Sequence, residues 1–190
     1  MKKRISAALC AVLLLSALLA AALSTASAAE EKVYFMAVNE TVLDLNDETM
    51  PRVVGGALYV PYTLFDPNTA GASLGLFSSY NRTTGQIVIY SRSNSLIFDL
   101  NADNSSAQGT IYRDKAIIRN SMVFVPVDAV CRFFGLEWSL LTVEYGYVVR
   151  VKSGSVVLDD RAFTEAAYFA VRARYSTYIQ SKTPVESPSV

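Results

Sequence analysis

Histidine is absent from the 190 residues of the chain, so the commonest general base of nucleophilic catalysis is missing. The segment Gly71-Ala72-Ser73-Leu74-Gly75 matches the G-x-S-x-G pattern, in which a strained turn exposes a nucleophilic serine. No imidazole exists to activate this serine, and no lysine beyond the N-terminal segment follows a serine at Ser-x-x-Lys spacing. We therefore interpret the segment as small residues that pack around a Leu-Gly turn.

Cysteine is nearly absent as well, since the sequence contains only Cys10 and Cys131. Cys10 lies in an apolar N-terminal run that we interpret as a removable leader, so the remaining chain has one thiol and no internal disulfide. Stability must then come from an apolar core, which about 160 residues are long enough to bury. Cys131 lies in the apolar stretch of residues 130–134 and is expected to be a buried small hydrophobe.

The chain also lacks a basic stripe. Its 17 Lys and Arg residues equal its 17 Asp and Glu residues in number, and three of the basic residues, Lys2, Lys3 and Arg4, lie at the N-terminus. The remainder is mildly acidic, which argues against binding to nucleic acid or to an anionic membrane surface.

The N-terminus has the composition of an export signal. The basic cluster is followed by an apolar run from Ile5 to Leu23 and by the small-residue site Ala26-Ser27-Ala28. A permanent membrane anchor is the alternative, but the small residues at the end of the run favour cleavage before Ala29. We expect residues 1–28 to be a signal peptide for the Sec pathway. The protein would then be secreted or held at the cell surface, with no membrane attachment after cleavage.

Short runs of alternating apolar and polar residues, separated by turn formers, predict strands over most of the chain. The expected strands are residues 33–38, 41–45, 57–60, 86–90, 96–100, 110–112, 116–118, 122–125, 136–139, 147–151 and 156–158. Residues 101–109 are expected to form a polar loop, and residues 128–134 have helical spacing that ends at Gly135.

Residues 161–182 contain no Gly or Pro and predict a C-terminal helix with Asp159 or Asp160 at its cap. Its apolar stripe consists of Phe163, Ala167, Ala170, Val171 and Tyr178. Arg174 falls within this stripe and is expected to extend its guanidinium to water; a buried ion pair or a partner contact is the alternative. Residues 183–190 are expected to be a disordered tail.

One pattern occurs twice: a strand that ends in Val-Pro, a helix-like stretch and a glycine. The copies are Leu58-Tyr59-Val60-Pro61 with Leu74-Gly75, and Val123-Phe124-Val125-Pro126 with Phe134-Gly135. Proline at a strand exit fixes φ and removes a donor, which directs the chain from strand pairing into a first helical turn. In the first copy Pro67 is expected to break the helix that begins at Tyr62.

Together with residues 38–45, 85–89 and 148–151, the two copies resemble the copper amine oxidase N-terminal-like domain family of secreted bacterial proteins. The resemblance implies an α+β domain over residues 29–160, in which an antiparallel sheet wraps around a short helix. It also implies two related halves, at about residues 33–95 and 96–158, before the C-terminal helix. In the amine oxidases this domain is a stalk without a copper site. The missing histidine agrees, because copper in those oxidases needs imidazole ligands. We expect no cofactor and no enzymatic activity.

One segment has part of a calcium-loop pattern. Asp99, Asn101 and Asp103 supply oxygens at its first, third and fifth positions. Asn104 stands where the loop needs glycine, and Thr110 stands where it needs a bidentate glutamate. A polar hairpin connection is the simpler interpretation.

The aromatic residues are the remaining candidates for binding, because Tyr and Trp faces stack on sugars and peptides while their polar tips form hydrogen bonds. We single out Tyr80, Tyr145 and Trp138, and expect Tyr80 and Tyr145 to be exposed beside turns. The sequence thus predicts an exported, non-catalytic binding or spacer module, stalk-like in character, whose partner is an extracellular protein or a cell-wall glycan.

Two alternatives remain. The first is a carbohydrate- or cell-wall-binding module that uses exposed Tyr and Trp. The second is a small hydrolase that uses a carboxylate pair such as Asp159-Asp160 or Asp47-Glu48, although acidic residues at these places are typical of helix caps and turns.

Overall fold

The computed structural model describes residues 33–154 and 156–182. The predicted signal peptide, residues 1–28, and the predicted tail, residues 183–190, lie outside the described residues. The described chain has an α+β fold, with thirteen strands in three largely antiparallel sheets and few helices.

The strands in chain order are β1 (Tyr34–Val38), β2 (Thr41–Val42), β3 (Arg52–Val54), β4 (Ala57–Pro61), β5 (Phe77–Asn81), β6 (Gln86–Tyr90), β7 (Ser95–Asp99), β8 (Asn104–Ala107), β9 (Thr110–Tyr112), β10 (Ile117–Arg119), β11 (Met122–Pro126), β12 (Glu137–Val143) and β13 (Gly146–Lys152). The helices are a 3-10 turn (Tyr62–Phe65), α1 (Pro67–Ala70), α2 (Val127–Phe134) and α3 (Asp160–Lys182).

The strands form three sheets. Sheet I has the order β12-β13-β1-β2, sheet II has the order β10-β11-β4-β3, and sheet III is the meander β5 to β9. In sheet I the first and last strands of the described chain, β1 and β13, pair in parallel, with Phe35 opposite Val148 and Ala37 opposite Arg150. This pairing ties the two ends of the fold together.

The two Val-Pro strands pair with each other in sheet II. Strands β4 and β11 run antiparallel, with Val60 opposite Val125. Pro126 leads into α2, which contacts β4, β11 and β12 and ends at Gly135 with a φ of 66°. The predicted short helix is therefore confirmed.

The first copy is distorted, as the position of Pro67 predicts. Pro61 leads only into the 3-10 turn. A new helix, α1, then begins at Pro67, and the Asp66 side chain caps it by accepting a hydrogen bond of 2.9 Å from the Asn68 amide. The relation between the predicted half-repeats as complete units stays a prediction.

Sheet I separates two apolar clusters. Successive side chains of a strand point to opposite faces. Met36 and Val38 of β1 accordingly belong to a larger cluster shared with α2 and sheets II and III, and Phe35 and Ala37 belong to a smaller cluster with α3. This explains why almost every residue of β1 is buried.

The cap and the buried stripe of α3 follow the prediction. The Asp159 carboxylate accepts a hydrogen bond of 2.8 Å from the Ala162 amide. The buried residues of the helix are Phe163, Ala167, Val171 and Tyr178. Arg174 lies at the edge of the stripe, partly exposed, with Nε 2.9 Å from Asp44 Oδ1.

Several predicted elements are wrong. Residues 156–158 are irregular, with bends at 157 and 158, instead of a strand; the predicted strand 41–45 is only the two-residue β2, and the predicted loop 101–109 contains β8. Strands β3 and β5 were not predicted. Strands β5 and β8 are rich in Ser and Asn, and the backbone bonds from neighbouring strands, rather than an apolar pattern, hold them in the sheet.

Candidate functional site

Arg150 is a fully buried arginine at the contact between sheet I and α3, with 0 % of its surface exposed. Nε donates to the Asn39 carbonyl at 2.8 Å, and the terminal nitrogens donate to Asp160 Oδ1 and to the Leu158 carbonyl, both at 2.9 Å. The guanidinium also lies 4.1 Å from the ring centre of Phe163. Arg150 therefore joins the β1–β2 turn, the start of α3 and the smaller cluster.

The β1–β2 turn is the second part of this arrangement. The Asn39 side chain accepts from the Ser153 amide at 3.0 Å, and the Glu40 carboxylate accepts from the Val157 amide at 3.1 Å. Asn39 adopts a φ of 54°, a left-handed conformation that asparagine tolerates better than most residues. The turn thus holds the segment that leads from β13 into α3.

Carboxylates with shifted pKa values take part in attaching α3. Burial acts to raise the pKa of Asp160, but the nearby Ser139 hydroxyl and hydrogen bonds from Lys152 and Arg150 together outweigh it and lower that pKa. At the other end of the helix, a hydrogen bond of 2.6 Å from the Tyr178 hydroxyl lowers the pKa of Asp47. Both groups stabilise the fold in their charged form.

The outer face of α3 exposes aromatic residues. Phe169 is 77 % exposed, and the ring of Tyr168, 41 % exposed, meets it edge to face at 5.3 Å. Arg172 is exposed one turn further on and forms no ion pair with any carboxylate of the described residues. We call Tyr168, Phe169 and Arg172 the outer patch of α3.

Trp138 lines an open groove of about 450 Å³ between the β3–β4 hairpin and β12. Its indole Nε1 donates to Asp128 Oδ1 at 3.4 Å, and Arg132 holds the other oxygen of Asp128 at 2.9 Å. The exposed side chains of Val53 and Leu140 form its apolar rim. The groove therefore combines one aromatic face, one oriented carboxylate and an apolar rim.

The expectation that Tyr80 and Tyr145 are exposed is wrong, because both rings are partly buried. Tyr80 packs edge to face on Tyr62 at 6.1 Å, and Tyr145 stacks on Tyr175 of α3 at 4.4 Å. With Trp138 in a separate groove, the three predicted residues do not appear together in any described cavity.

The predicted calcium ligands participate in the β7–β8 hairpin. Asp99 accepts from the Asn101 amide at 2.8 Å, a bond that lowers the pKa of Asp99. The Asn101 side chain donates to the Thr84 carbonyl at 2.9 Å, and Asp103 pairs with Lys115 at 3.3 Å. Over the described ranges, no group of three or more His, Cys, Asp or Glu side chains is arranged to hold a metal ion.

Other reactive candidates are also placed by the fold. Ser73 Oγ accepts from the Gly75 amide at 3.1 Å within its own turn. Cys131 is buried in α2, and burial raises the pKa of its thiol to about 12. Asp159 caps α3 while Asp160 binds Arg150, so the pair of carboxylates is divided between two structural contacts.

Sequence reasoning missed Arg150 and the outer patch of α3. A single arginine within the apolar run Val148-Val149-Arg150-Val151 is the available signal for a buried, paired charge, since unpaired charges are costly in an apolar core. Phe169 falls outside the apolar stripe of its helix, which is the signal for an exposed aromatic.

Comparison of the chain with protein-family models, with curated proteins and with solved structures finds no match. Among residues 33–154 and 156–182, no helix combines the length and apolarity that a membrane span requires.

Proposed function

We propose that the protein is an exported, non-catalytic binding module whose outer patch of α3 contacts a protein partner at the cell surface or outside the cell. The observation that carries this proposal is the 77 % exposure of Phe169 on a helix whose opposite face is fixed to sheet I. A large exposed aromatic on a helix that is packed against a sheet supplies contact area at small entropic cost.

The attachment of α3 supports the proposal. Arg150 fixes the start of the helix, the Asp47 contacts with Tyr178 and Lys182 fix its end, and Phe163 and Val171 are buried between them. The outer patch is therefore presented in one orientation before a partner arrives, which reduces the ordering cost of association.

The composition of the patch defines the partner's chemistry. Phe, Tyr and Arg are enriched in protein interfaces, and Tyr and Arg are among the commonest hot-spot residues. The partner is a protein surface with an apolar pocket for Phe169 and a carboxylate beside it for Arg172. A glycan offers no such apolar pocket.

The test immobilises the purified wild-type chain and the Phe169→Ser variant and exposes both to the secreted and surface proteins of the source cell. A protein retained by wild type is identified, purified and titrated against both chains by calorimetry. Phe169→Ser is expected to weaken the titrated affinity by roughly thirtyfold, as for a hot-spot aromatic. Tyr90→Ser is the matched control, since Tyr90 is also an exposed aromatic, 40 % exposed, on sheet III.

The contact proposal fails if Phe169→Ser retains the same proteins with the same affinity, or if Tyr90→Ser loses them equally. Export is tested separately by N-terminal sequencing of the protein recovered outside the cell, which is expected to begin at Ala29. Recovery only with Met1 inside the cell contradicts it.

The groove at Trp138 favours a second candidate function, binding of a cell-wall glycan. Sugars stack on indole faces and donate hydrogen bonds to carboxylates, and Trp138 and Asp128 supply both in one groove. Trp138 is the single tryptophan of the chain, so its fluorescence reports directly on this groove. Soluble peptidoglycan fragments are expected to shift the emission saturably; an unchanged emission alongside no retention on purified cell wall contradicts this candidate.

A further inference from the structure

We infer that a cavity between α3, β2 and the α1 region is a binding site for a free α-amino acid with an aliphatic side chain. The cavity has a volume of about 300 Å³, at the lower end of the range for small-molecule sites. Arg174 and Asp44 line it, and their side chains meet within it. This site is distinct from the outer patch of α3, so the inference goes beyond the proposed function.

The charged groups of the cavity match the charges of an amino acid. Arg174 Nε lies 2.9 Å from Asp44 Oδ1, and the side chain of Arg174 remains 41 % exposed. The side chain of Asp44 is 85 % exposed, which leaves carboxylate oxygen available to a ligand. A guanidinium binds carboxylates through paired donors. An α-carboxylate on Arg174 would place the adjacent α-ammonium beside Asp44.

The adjacency of the two charges selects the ligand class. Because Arg174 and Asp44 are in contact, they suit a ligand whose own opposite charges are on neighbouring carbon atoms, as in an α-amino acid. A simple anion would satisfy Arg174 and leave Asp44 facing like charge, which costs binding energy. A longer zwitterion with distant charges would reach only one of the two residues.

The remaining lining supplies hydroxyls and an apolar floor. Thr63 and Thr69 line the cavity, and their hydroxyls form no hydrogen bond with a protein group of the described residues. Met36, Leu64 and Ala70 are buried side chains of the floor. The hydroxyls can bind the ligand's carboxylate, and the floor can bury an aliphatic side chain.

The experiment titrates the purified chain with L-leucine by calorimetry, alongside N-acetyl-L-leucine, L-leucinamide and glycine. L-leucine is expected to bind saturably with a Kd below roughly 1 mM. Removal of the ammonium by acetylation, or of the carboxylate by amidation, is expected to weaken binding at least about tenfold, because each loses a charge-assisted contact. Free glycine is expected to bind more weakly than L-leucine, because it has no side chain to bury against the apolar floor of the cavity.

Two variants and one control locate the site. Arg174→Gln and Asp44→Asn are each expected to weaken L-leucine binding at least about tenfold. Arg161→Gln is the matched control, because it removes another exposed ion pair from α3, at 3.3 Å from Glu165, outside the cavity. The exposed position of Asp44 keeps Asp44→Asn informative even if Arg174→Gln loosens the helix.

The inference is overturned by the absence of heat and of ligand-induced chemical shifts up to millimolar L-leucine. It is equally overturned if N-acetyl-L-leucine binds as tightly as L-leucine, which would make this an anion site, or if Arg161→Gln causes the same loss as Arg174→Gln.

Discussion

Arg150 is the buried charge that joins sheet I to the start of α3. Its guanidinium is completely buried, so its charge must be compensated by the carboxylate of Asp160 and by the carbonyls of Asn39 and Leu158. Such a charge contributes little net stability compared with an apolar residue, but removal of one partner leaves the others unsatisfied. Arg150 therefore specifies where α3 begins and how it meets the sheet.

Substitution of Arg150 by alanine is expected to lower the free energy of unfolding by about 3 to 5 kcal/mol, because it leaves two partly buried carbonyls without their donor and removes one of the donors to Asp160. Urea unfolding measures this. Arg161→Ala, which removes an exposed ion pair on the same helix, is expected to change it by less than ~0.5 kcal/mol. Equal effects of the two substitutions would show that the buried contacts have no special role.

The lowered pKa of Asp160 predicts that the fold loses stability in acid. The folded-state pKa of Asp160 lies below the ordinary aspartate value of 3.8, so above pH 3.8 the carboxyl is charged in both states and the stabilisation is complete. As the pH falls below 3.8 the unfolded chain takes up the proton first, and the stabilisation is lost as the pH passes through the folded-state value. Asp160→Asn is expected to be less stable at pH 7 and to lose less stability between pH 4 and pH 2. A pH dependence identical to wild type in urea titrations would contradict this.

At the scale of elements, the β12–β13 hairpin approaches the start of β1 at Gly146, where a side chain would have no room. Gly146 adopts a φ of 141°, and a Cβ there would overlap the backbone carbonyl of Val33. That carbonyl accepts a hydrogen bond of 2.9 Å from the Tyr147 amide, at the start of the parallel pairing. The missing side chain thus permits this close approach of the backbone at the start of the β1–β13 pairing.

Gly146→Ala is expected to destabilise the fold by more than about 1 kcal/mol, because both the positive φ and the carbonyl of Val33 oppose a Cβ. Gly154→Ala is the control, since a Cβ at Gly154 meets nothing within 4 Å. Thermal and urea unfolding of both variants are the measurements. A Gly146→Ala protein as stable as the control would mean that β1 is not held in this register.

The sequence predicts elements whose apolar spacing is regular and fails where pairing or distant contacts decide. Helices α2 and α3 and the Val-Pro strands have such spacing, and the fold contains them. Strand β8 is polar and is a strand because β7 and β9 flank it. Tyr145 was expected to be exposed beside a glycine, but it stacks on Tyr175, thirty residues away, and local sequence carries no signal of that contact.

The same limit applies to the candidate sites. Trp138 was identified from its residue type, and it lines a groove. The joining of Arg174 with Asp44 requires α3 to lie against the β2 region, which no local pattern specifies. Functional residues brought together by tertiary packing are therefore the part of this molecule that sequence reasoning does not recover.

For the whole molecule, the two clusters on opposite faces of sheet I imply two levels of stability. Among the described residues, α3 is the helix that packs on the smaller cluster, whereas the larger one is enclosed by α2 and by strands of all three sheets. Segments with fewer buried contacts open at lower free energy. Helix α3 is therefore the element expected to detach first, while the larger cluster remains closed.

Cys131 provides a direct measurement of this order of events. Its thiol is buried in the larger cluster, and burial raises its pKa to about 12, so the native protein at pH 8 has neither access nor thiolate for iodoacetamide. In Arg150→Ala, amide exchange in α3 is expected to accelerate far more than alkylation of Cys131, because the helix opens while α2 remains packed. The logarithm of the alkylation rate should rise with urea concentration in proportion to the m value of global unfolding, since only global unfolding exposes the thiol. If exchange in α3 and alkylation of Cys131 accelerate by the same factor in Arg150→Ala but not in Arg161→Ala, the two clusters unfold as one unit. That result would contradict the expectation that α3 detaches first.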